Sequence, residues 1–326
     1  MKPYNSYSDF LASKFGYKIY RIGVDAGFSC PNRRGEKKEG GCIYCDSMAA
    51  IAAYHRKAES SYTHASGFEE NIDAIVCSFN PDSVEKQIER GISFVRKRYK
   101  TEHYALYFQS YSNTFAPVEK LKQIYDSALE GRIWEGLIVS TRPDCIDEKK
   151  LELLASYKDR VKFVGVELGL QSGDDKILKA MNRGHDVKCL VDAALKTKNA
   201  GLELCLHILT GFPGEGYEEL DKTINVINTV KPDSIKIHNL NIAGGTELYN
   251  KYLEGEVTAP CAERHIANTV YLLRRISPDI TIERLIAETP SHRLASPRLF
   301  PDKNKYLTML TSYMIDNNYK QGDLYK

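Results

Sequence analysis

Short apolar segments alternate with amphipathic segments along most of the chain. The apolar segments are rich in β-branched and aromatic residues, which indicates strands; they cover residues 17–24, 104–108, 136–140, 162–168, 202–208 and 234–240. Helical stretches separate them, so the pattern predicts repeated βα units around a parallel sheet. A doubly wound sheet and an incomplete barrel give the same order of elements, and the pattern leaves both folds open.

The helical stretches are predicted from their apolar periodicity and their capping residues. They cover residues 9–15, 80–100, 117–129, 147–157, 174–181, 187–199, 217–230, 246–253, 262–276 and 304–314. Residues 281–286 form one more possible strand, and residues 46–70 show no clear period. Long irregular stretches of this kind are often functional.

A glycine-rich loop with three cysteines follows the first predicted strand. Eleven residues separate Cys30 from Cys42, and two separate Cys42 from Cys45. A thiolate triplet that ends in a C-x-x-C pair has metal-ligand spacing and is typical of zinc or iron–sulfur sites. A zinc site needs a fourth ligand, and none follows at a usual spacing. Three thiolates on a four-iron cluster would leave one iron open, which is a reactive arrangement.

Polar residues follow five successive predicted strands at the point where each strand ends. In parallel βα folds these ends meet on the face that carries the active site, and the cysteine loop falls on that face. The polar segments are residues 109–114, 140–144, 167–172 and 210–215, together with His238 and Asn239. Helix capping, glycine turns and an Arg142–Glu167 ion pair are structural alternatives for part of this set. The coincidence of five polar strand ends favours a functional site.

The composition is that of an ordinary soluble globular protein of 326 residues, with 42% hydrophobic and 27% charged residues. The formal net charge of +2 is too small to indicate a partner. The N-terminus lacks the apolar run of a signal peptide, and no segment approaches 18 consecutive apolar residues. We therefore expect a cytoplasmic protein without membrane contacts, whose cysteines are reduced thiols.

Several other residues with metal-ligand or charged chemistry are expected to be structural. Five cysteines show no paired spacing: Cys77, Cys145, Cys189, Cys205 and Cys261. Ligands that converge in space leave a second cluster open, but isolated thiols are the expectation. His207 and His238 alternate with apolar neighbours, which favours barrel-interior histidines over metal ligands. Glu283 and Arg284 are expected to pair or to face solvent.

Seven short motifs carry a resemblance to a known family. They are Gly27-Phe-Ser-Cys-Pro-Asn-Arg33, Gly40-Gly-Cys-Ile-Tyr-Cys45, Phe108-Gln-Ser-Tyr-Ser-Asn-Thr114, Ser140-Thr-Arg-Pro-Asp144, Glu167-Leu-Gly-Leu-Gln-Ser172, Asn182-Arg-Gly-His185 and Leu209-Thr-Gly-Phe-Pro-Gly-Glu215. Together they resemble the radical S-adenosylmethionine (SAM) superfamily, and within it the Elp3-related bacterial YhcC/YtqA (MnmL-like) group. The superfamily more often spaces its cysteines C-x-x-x-C-x-x-C, and the wider gap in this chain is similar to the subgroup's own spacing.

The resemblance implies an α/β fold, a partial (β/α)6 TIM-like barrel with a small C-terminal extension. We expect the core barrel and an N-terminal extension in residues 1–285, and an extension packed on the barrel in residues 286–326. The resemblance also implies a [4Fe–4S] cluster on Cys30, Cys42 and Cys45, with SAM bound to the open iron through its amino and carboxylate groups.

The resemblance further implies a set of cofactor-binding residues. Tyr44 would pack beside the cluster and the adenine of SAM, and the methionyl amino group would be received by Gln109, Ser110 and Asn113. The ribose would be contacted by Glu167 and Gln171, and the carboxylate would be bound by Arg183. The adenine would be lined by Thr210, Gly211 and the last strand, and Thr141 and Arg142 complete the set.

Reductive cleavage of SAM and hydrogen abstraction from a substrate are the chemistry that the resemblance implies. This chemistry requires an external one-electron donor of the flavodoxin or ferredoxin type. The implied substrate is the wobble uridine of tRNA, whose 5-carboxymethylaminomethyl group would become 5-aminomethyl. The alternatives are the same chemistry on a small metabolite or tetrapyrrole precursor, and a non-enzymatic zinc or iron–sulfur protein.

Two basic runs and four aromatic residues give mild support for an RNA substrate. The first run holds Arg33, Arg34, Lys37 and Lys38, the second holds Arg96, Lys97, Arg98 and Lys100, and the candidate base-stacking residues are Tyr54, His55, Tyr62 and His64. Each run is also compatible with a solvated protein surface.

Overall fold

The computed structural model describes residues 2–34, 39–46, 48, 51–55 and 82–326. The strands are β1 (Tyr20–Val24), β2 (Arg33–Arg34), β3 (Glu39–Gly40), β4 (Tyr104–Phe108), β5 (Gly136–Thr141), β6 (Phe163–Gln171), β7 (Glu203–Thr210), β8 (Ser234–Asn239), β9 (Ile242–Ala243), β10 (Thr281–Arg284) and β11 (Leu294–Ser296). The helices are α1 (Tyr7–Phe15), α2 (Val84–Tyr99), α3 (Val118–Leu129), α4 (Glu148–Ser156), α5 (Asp175–Ala180), α6 (Val187–Asn199), α7 (Tyr217–Val230), α8 (Glu247–Leu253), α9 (Ala262–Arg275) and α10 (Lys303–Asp316).

Seven parallel strands form one sheet in the order β1-β4-β5-β6-β7-β8-β10. This order follows the chain without a reversal. Because parallel crossovers are right-handed, successive connections then place their helices on the same face of the sheet. A doubly wound sheet would reverse its strand order at a switch point. The structure therefore confirms the partial TIM-like barrel, and the possible strand at residues 281–286 is its edge strand β10.

Alternation along each strand separates the core from the barrel lumen. Residues such as Leu106, Leu137, Val166 and Ile235 are fully buried in the core between the sheet and its helices. Their neighbours in the sequence face the opposite side, because successive side chains of a strand alternate. The lumen consequently receives a largely polar set of side chains: Arg21, Tyr107, Glu167, His207, Lys236 and His238.

Helix α2 packs closely against the first strand of the sheet. Ile88 and Val95 form its buried face. A Cβ atom on Gly91 would lie 2.7 Å from Cγ2 of Ile22, so this contact requires glycine. Ser83 caps the helix by accepting a hydrogen bond from the backbone N–H of Lys86, as the capping sequence predicts.

The two ends of the chain meet at the β10 edge of the sheet. Ser6 forms a parallel bridge with Ile282, and the backbone N–H of Gln321 donates to the carbonyl of Pro3. Helix α10 buries Leu310 and Met314 in the main core. In the part of the chain that the structure describes, no helix has the length and apolar character needed to cross a membrane.

Candidate functional site

The cysteine loop lies at the C-terminal ends of the barrel strands, directly after β1. Cys42 is buried, and the backbone N–H of Cys45 donates to the carbonyl of Cys42 over 2.9 Å, which forms a tight turn. Ile43 between them bonds to Met181 and to Leu248 through its backbone N–H and carbonyl, at 3.1 and 2.8 Å. The C-x-x-C end of the loop is therefore fixed to two other parts of the fold.

Hydrogen-bond donors surround the cysteine sulfurs. Nη1 of Arg183 lies 3.6 Å from Sγ of Cys42, and Nδ2 of Asn32 lies 3.9 Å from the same sulfur. Nη2 of Arg33 donates to the carbonyl of Cys45 over 3.3 Å. Burial raises the pKa of the Cys45 thiol, and the Arg33 charge acts in the opposite direction. The loop thus carries cationic and amide donors that suit thiolate ligands.

The spacing of the three sulfurs argues against a preformed zinc site. In a tetrahedral zinc site with bonds of about 2.3 Å, the sulfurs lie about 3.8 Å apart. Among the described residues, the group whose ligand atoms all lie within 4.8 Å of one another is Glu167, Cys205 and His207, and the loop cysteines do not meet this limit. A cluster of several irons is wider than a single ion, so the loop fits a polynuclear cluster better.

Buried polar atoms without a partner among the described residues lie on the segments around the loop. They are the hydroxyl of Tyr44, Oγ of Ser112, Oδ1 of Asn113 and Nε of Arg183. Nδ2 of Asn113 already donates to the carbonyls of Phe108 and Ser140, at 3.1 and 2.8 Å, so its Oδ1 remains as an acceptor. Buried polar atoms normally find partners. An acceptor and a guanidinium donor suit the amino and carboxylate groups of an amino acid such as the methionyl part of SAM.

The end of β6 is shaped around Arg183. Its Nη2 donates to the carbonyl of Gly169 over 3.0 Å. A Cβ atom on Gly169 would lie 2.4 Å from Nη2 of Arg183 and 2.5 Å from Nε2 of Gln171, so a larger residue would displace the ends of both side chains. Gln171 itself has a φ of +68° and ends the strand. The structure therefore brings Gln171 and Arg183 together beside Cys42.

Arg142 supports Arg183 from the other side. Its guanidinium binds both carboxylate oxygens of Asp144 at 2.8 Å and donates to the carbonyl of Arg183 at 2.7 Å. Burial lowers the pKa of Arg142, but the bond to Asp144 outweighs burial, so the pKa lies above its usual value. The Arg142–Glu167 ion pair that the sequence left open is wrong, because Arg142 pairs with Asp144.

Glu167 lies inside the barrel and is 1% exposed. Its carboxylate accepts hydrogen bonds from Arg21, Tyr107 and His207, each at 2.7 Å, and from Lys236 at 2.6 and 2.7 Å. Burial raises the pKa of Glu167, but the charges of Lys236 and Arg21 outweigh burial and hold the pKa well below its usual value. This network already saturates the carboxylate that the sequence assigned to the ribose.

The sequence profile of the Radical SAM superfamily matches residues 39–227, and that of the Radical_SAM C-terminal domain matches residues 232–316. Protein YhcC of Escherichia coli strain K12 is 31% identical over 99% of this chain and 96% of its own length. This chain belongs to the radical SAM superfamily. Radical SAM proteins use a [4Fe–4S] cluster and SAM, and this protein is an enzyme of that class.

Two further comparisons connect this radical SAM enzyme to Elp3-related proteins. A tRNA uridine(34) acetyltransferase of Methanocaldococcus infernus is 32% identical over 44% of this chain and 26% of its own length. The structure of Elp3 from that organism, with its N-terminus deleted, superimposes with a TM-score of 0.64 at 22% identity. The superposition covers 73% of this chain and 60% of the Elp3 chain, which shows a shared fold.

Some residues predicted to bind the radical SAM cofactors have side chains already engaged elsewhere. Thr210 directs its hydroxyl to Nδ1 of His265 in α9, at 2.9 Å, so the side chain does not reach the lumen. Gly211 has a φ of +93° and donates its backbone N–H to Glu215 at 2.5 Å, which makes a turn. Thr141 bonds to Thr114 through its hydroxyl at 2.6 Å. The cofactor contacts of these three residues stay predictions.

Three other predicted contacts lie nearer the mouth of the barrel. Ser110 is 1% exposed and follows β4 directly. Gln109 lies beside β1, because its Oε1 would be 2.7 Å from a Cβ atom on Gly23. Tyr44 packs its ring edge against Phe212, with 5.6 Å between centroids. Gln109 and Ser110 thus lie at the end of β4, and Tyr44 lies in the cysteine loop itself.

The structure gives less support for an RNA-binding surface than the sequence does. Helix α2 ends shortly before β4 begins, so Arg96, Lys97, Arg98 and Lys100 lie at the N-terminal ends of the strands, opposite the cysteine loop. Tyr54 accepts a hydrogen bond from the backbone of Gly23 at 2.7 Å, and His55 contacts the Gly23 carbonyl at 3.0 Å. The side chain of Arg34 and the residues Lys37, Lys38, Tyr62 and His64 lie outside the described part.

The structure describes four of the five isolated cysteines as free thiols, and Cys205 is the one that lies close to Glu167 and His207. Burial raises the pKa of Cys145 to about 12, and burial also raises the pKa values of Cys189 and Cys205. Cys261 is exposed at the start of α9. Cys77 lies outside the described residues.

Sequence reasoning missed two sets of residues near the radical SAM site. Lys236 is fully buried and faces Glu167; its signal was a lysine in the centre of an alternating apolar strand. Arg293 is also buried and forms an ion pair with Asp46, the residue after Cys45. Nothing in the sequence signalled that second pair, because its partners are 247 residues apart.

Proposed function

We propose that Cys30, Cys42 and Cys45 hold the [4Fe–4S] cluster of this radical SAM enzyme. The observation that carries the assignment is the loop itself, with three cysteines at the mouth of the barrel and the buried Arg183 guanidinium against Cys42. When bound, the cluster supplies the electron that cleaves SAM, and the resulting radical removes hydrogen from the substrate.

The side chains around the loop would orient both cofactors. Arg183 and Asn32 donate hydrogen bonds to Sγ of Cys42, which stabilises its thiolate. Oδ1 of Asn113 would accept from the amino group of SAM, and Arg183 would pair with its carboxylate through the Nε that has no described partner. Gln171 would contact the ribose from the end of β6. The packed barrel walls would keep water away from the radical.

We propose that the substrate is the wobble uridine of tRNA and that the enzyme converts its carboxymethylaminomethyl group to aminomethyl. The two carboxymethyl carbons would leave as glyoxylate, with SAM as the two-electron oxidant and water as the source of the aldehyde oxygen. The support is the similarity over 44% of the chain to a tRNA uridine(34) acetyltransferase and the similarity over 99% of the chain to YhcC. The proposed partners are SAM, tRNA and a flavodoxin- or ferredoxin-type electron donor. The proposed compartment is the cytoplasm.

Nucleoside analysis of tRNA tests the substrate. In a strain without the gene, 5-carboxymethylaminomethyluridine should accumulate at the wobble position and 5-aminomethyluridine derivatives should decrease. The intact gene should restore the profile, whereas a gene encoding Cys42→Ala should not. An unchanged wobble-uridine profile in the deletion strain would refute the tRNA substrate and leave the superfamily chemistry intact.

A further inference from the structure

A break in the register of β10 turns two consecutive side chains into the barrel lumen. Ile282 pairs with Ile235 of β8, but Arg284 pairs with Lys236, so one extra residue is inserted in β10. Side chains at the same register position of parallel strands face the same side. Arg284 therefore faces the lumen, as Lys236 does. The inserted residue, Glu283, also faces the lumen, where its carboxylate binds Arg21. Bulges of this kind re-aim side chains next to active sites.

The charges in this layer of the lumen leave Arg284 without a partner. Glu167 pairs with Arg21 and Lys236, and Glu283 pairs with Arg21 at 2.5 Å and approaches Lys236 at 3.6 Å. Arg284 is exposed to solvent and has no hydrogen bond or ion pair among the described residues. Burial lowers the pKa values of His207 and His238, and the charge of Arg284 lowers both further, which places Arg284 near the two rings. This layer therefore holds two carboxylates, on Glu167 and Glu283, and three cations, on Arg21, Lys236 and Arg284.

A second donor lies one layer above Arg284, towards the mouth of the barrel. The rings of His207 and His238 stack with their centroids 5.5 Å apart. His207 uses its Nε2 to bind Glu167 at 2.7 Å, whereas Nε2 of His238 is buried without a described partner. Burial holds the pKa of His238 well below its usual value, so the ring is neutral and can present one N–H.

We propose that Arg284 and His238 form a subsite in the barrel lumen that binds the carboxylate of the substrate side chain. The identity of that carboxylate rests on the proposed function, because the carboxymethylaminomethyl group ends in one. The guanidinium fork matches a carboxylate, and a single negative charge balances the single uncompensated cation. Arg284 lies at the level of Lys236, roughly 10 Å below the end of β8. An extended side chain can enter to this depth while its base stays at the mouth.

Steady-state kinetics with two modified tRNAs test the subsite. One tRNA carries 5-carboxymethylaminomethyluridine, and the competitor carries 5-methylaminomethyluridine, which lacks the carboxylate. For wild-type holoenzyme, the KM of the first tRNA should be at least about tenfold lower than the Ki of the competitor. Arg284→Gln should raise KM for the first tRNA about tenfold and remove the preference, and Arg284→Lys should restore part of it. His238→Gln should lower the preference by a smaller factor.

The matched control is Arg160→Gln, which removes an exposed arginine that pairs with Asp126 at the other end of the barrel. It should keep the wild-type preference. The dissociation constant of SAM should not change in Arg284→Gln, since Arg183 is the proposed carboxylate partner of SAM. An unchanged preference in Arg284→Gln, or a parallel loss of SAM binding, would overturn the subsite.

A probe that does not depend on tRNA separates this proposal from the substrate assignment. N-methylglycine reproduces the secondary amine and carboxylate of the substrate side chain, and dimethylamine lacks the carboxylate. Saturation-transfer NMR of the oxidised holoenzyme should show N-methylglycine binding that is lost in Arg284→Gln, and no dimethylamine binding. If wild-type enzyme leaves both tRNAs unmodified, the substrate assignment fails. Equal N-methylglycine signals in wild type and Arg284→Gln then overturn the subsite separately.

Discussion

Replacement of Glu167 by glutamine separates a structural role from a cofactor contact. The variant removes one negative charge from a carboxylate that is 1% exposed and bonded to Arg21, Tyr107, His207 and Lys236. Lys236 would then retain Glu283 at 3.6 Å as its nearest anion. Breaking a buried ion pair costs about 3–5 kcal/mol. Because Glu283 remains and glutamine still accepts a hydrogen bond, we expect the lower end, about 3 kcal/mol.

Urea denaturation of the protein without SAM measures this loss in the free energy of unfolding. The matched control is Glu148→Gln, whose side chain is 80% exposed and lies 3.5 Å from Lys196, and it should unfold like wild type. The pKa of Glu167 is depressed in the folded state, so its stabilisation is present above the unfolded pKa of about 4.3. The difference between wild type and Glu167→Gln should therefore shrink as the pH falls below that value.

The result that refutes this reasoning is a Glu167→Gln protein with wild-type stability and weakened SAM binding. That outcome would assign Glu167 to the ribose, as the sequence predicted, and would make the ion network dispensable for folding.

Three further variants test other parts of the structure. Arg293→Met should free Asp46 next to Cys45, and a chelator should then remove iron roughly tenfold faster than from wild type; an unchanged rate would exclude this ion pair as a support of the loop. Cys145→Ala should bind iron like wild type, because its buried thiol has a pKa of about 12, and a loss of iron would make it a ligand. Burial raises the pKa of Glu215 to about 7. As the pH rises from about 4.3 to 7, the free energy of unfolding of wild type should therefore fall by up to about 3 kcal/mol relative to Glu215→Gln. Parallel curves of stability against pH would contradict the raised pKa of Glu215.

The barrel strands were predictable because each one alternates between a core face and a lumen face. Phe163–Gln171 illustrates this, since its apolar residues contact the helices and Glu167 faces inward. The sequence could not choose between the barrel and the doubly wound sheet, because both use the same order of elements. That choice depends on which strands become neighbours, and this is settled by packing over the whole sheet.

The position of the cysteine loop was predictable for the same reason, but the side-chain partners of the site were not. The sequence placed Arg142 and Glu167 at polar strand ends, but Glu167 lies in the middle of β6. Arg142 binds Asp144 and Glu167 binds Lys236. Local sequence does not specify such pairs, because their partners come from other strands or from a loop conformation. The bulge at Glu283 is a further case: strict alternation would send Arg284 towards the helices, and the inserted residue reverses it.

The most direct test of the proposed activity follows both products in one reaction. Anaerobically reconstituted enzyme, with about four irons per chain, is reduced in the presence of SAM and tRNA that carries 5-carboxymethylaminomethyluridine. We predict that 5′-deoxyadenosine and 5-aminomethyluridine form together, and that Cys42→Ala forms neither. Cleavage of SAM with no change in the wobble nucleoside, or 5′-deoxyadenosine formation by Cys42→Ala, would contradict the account.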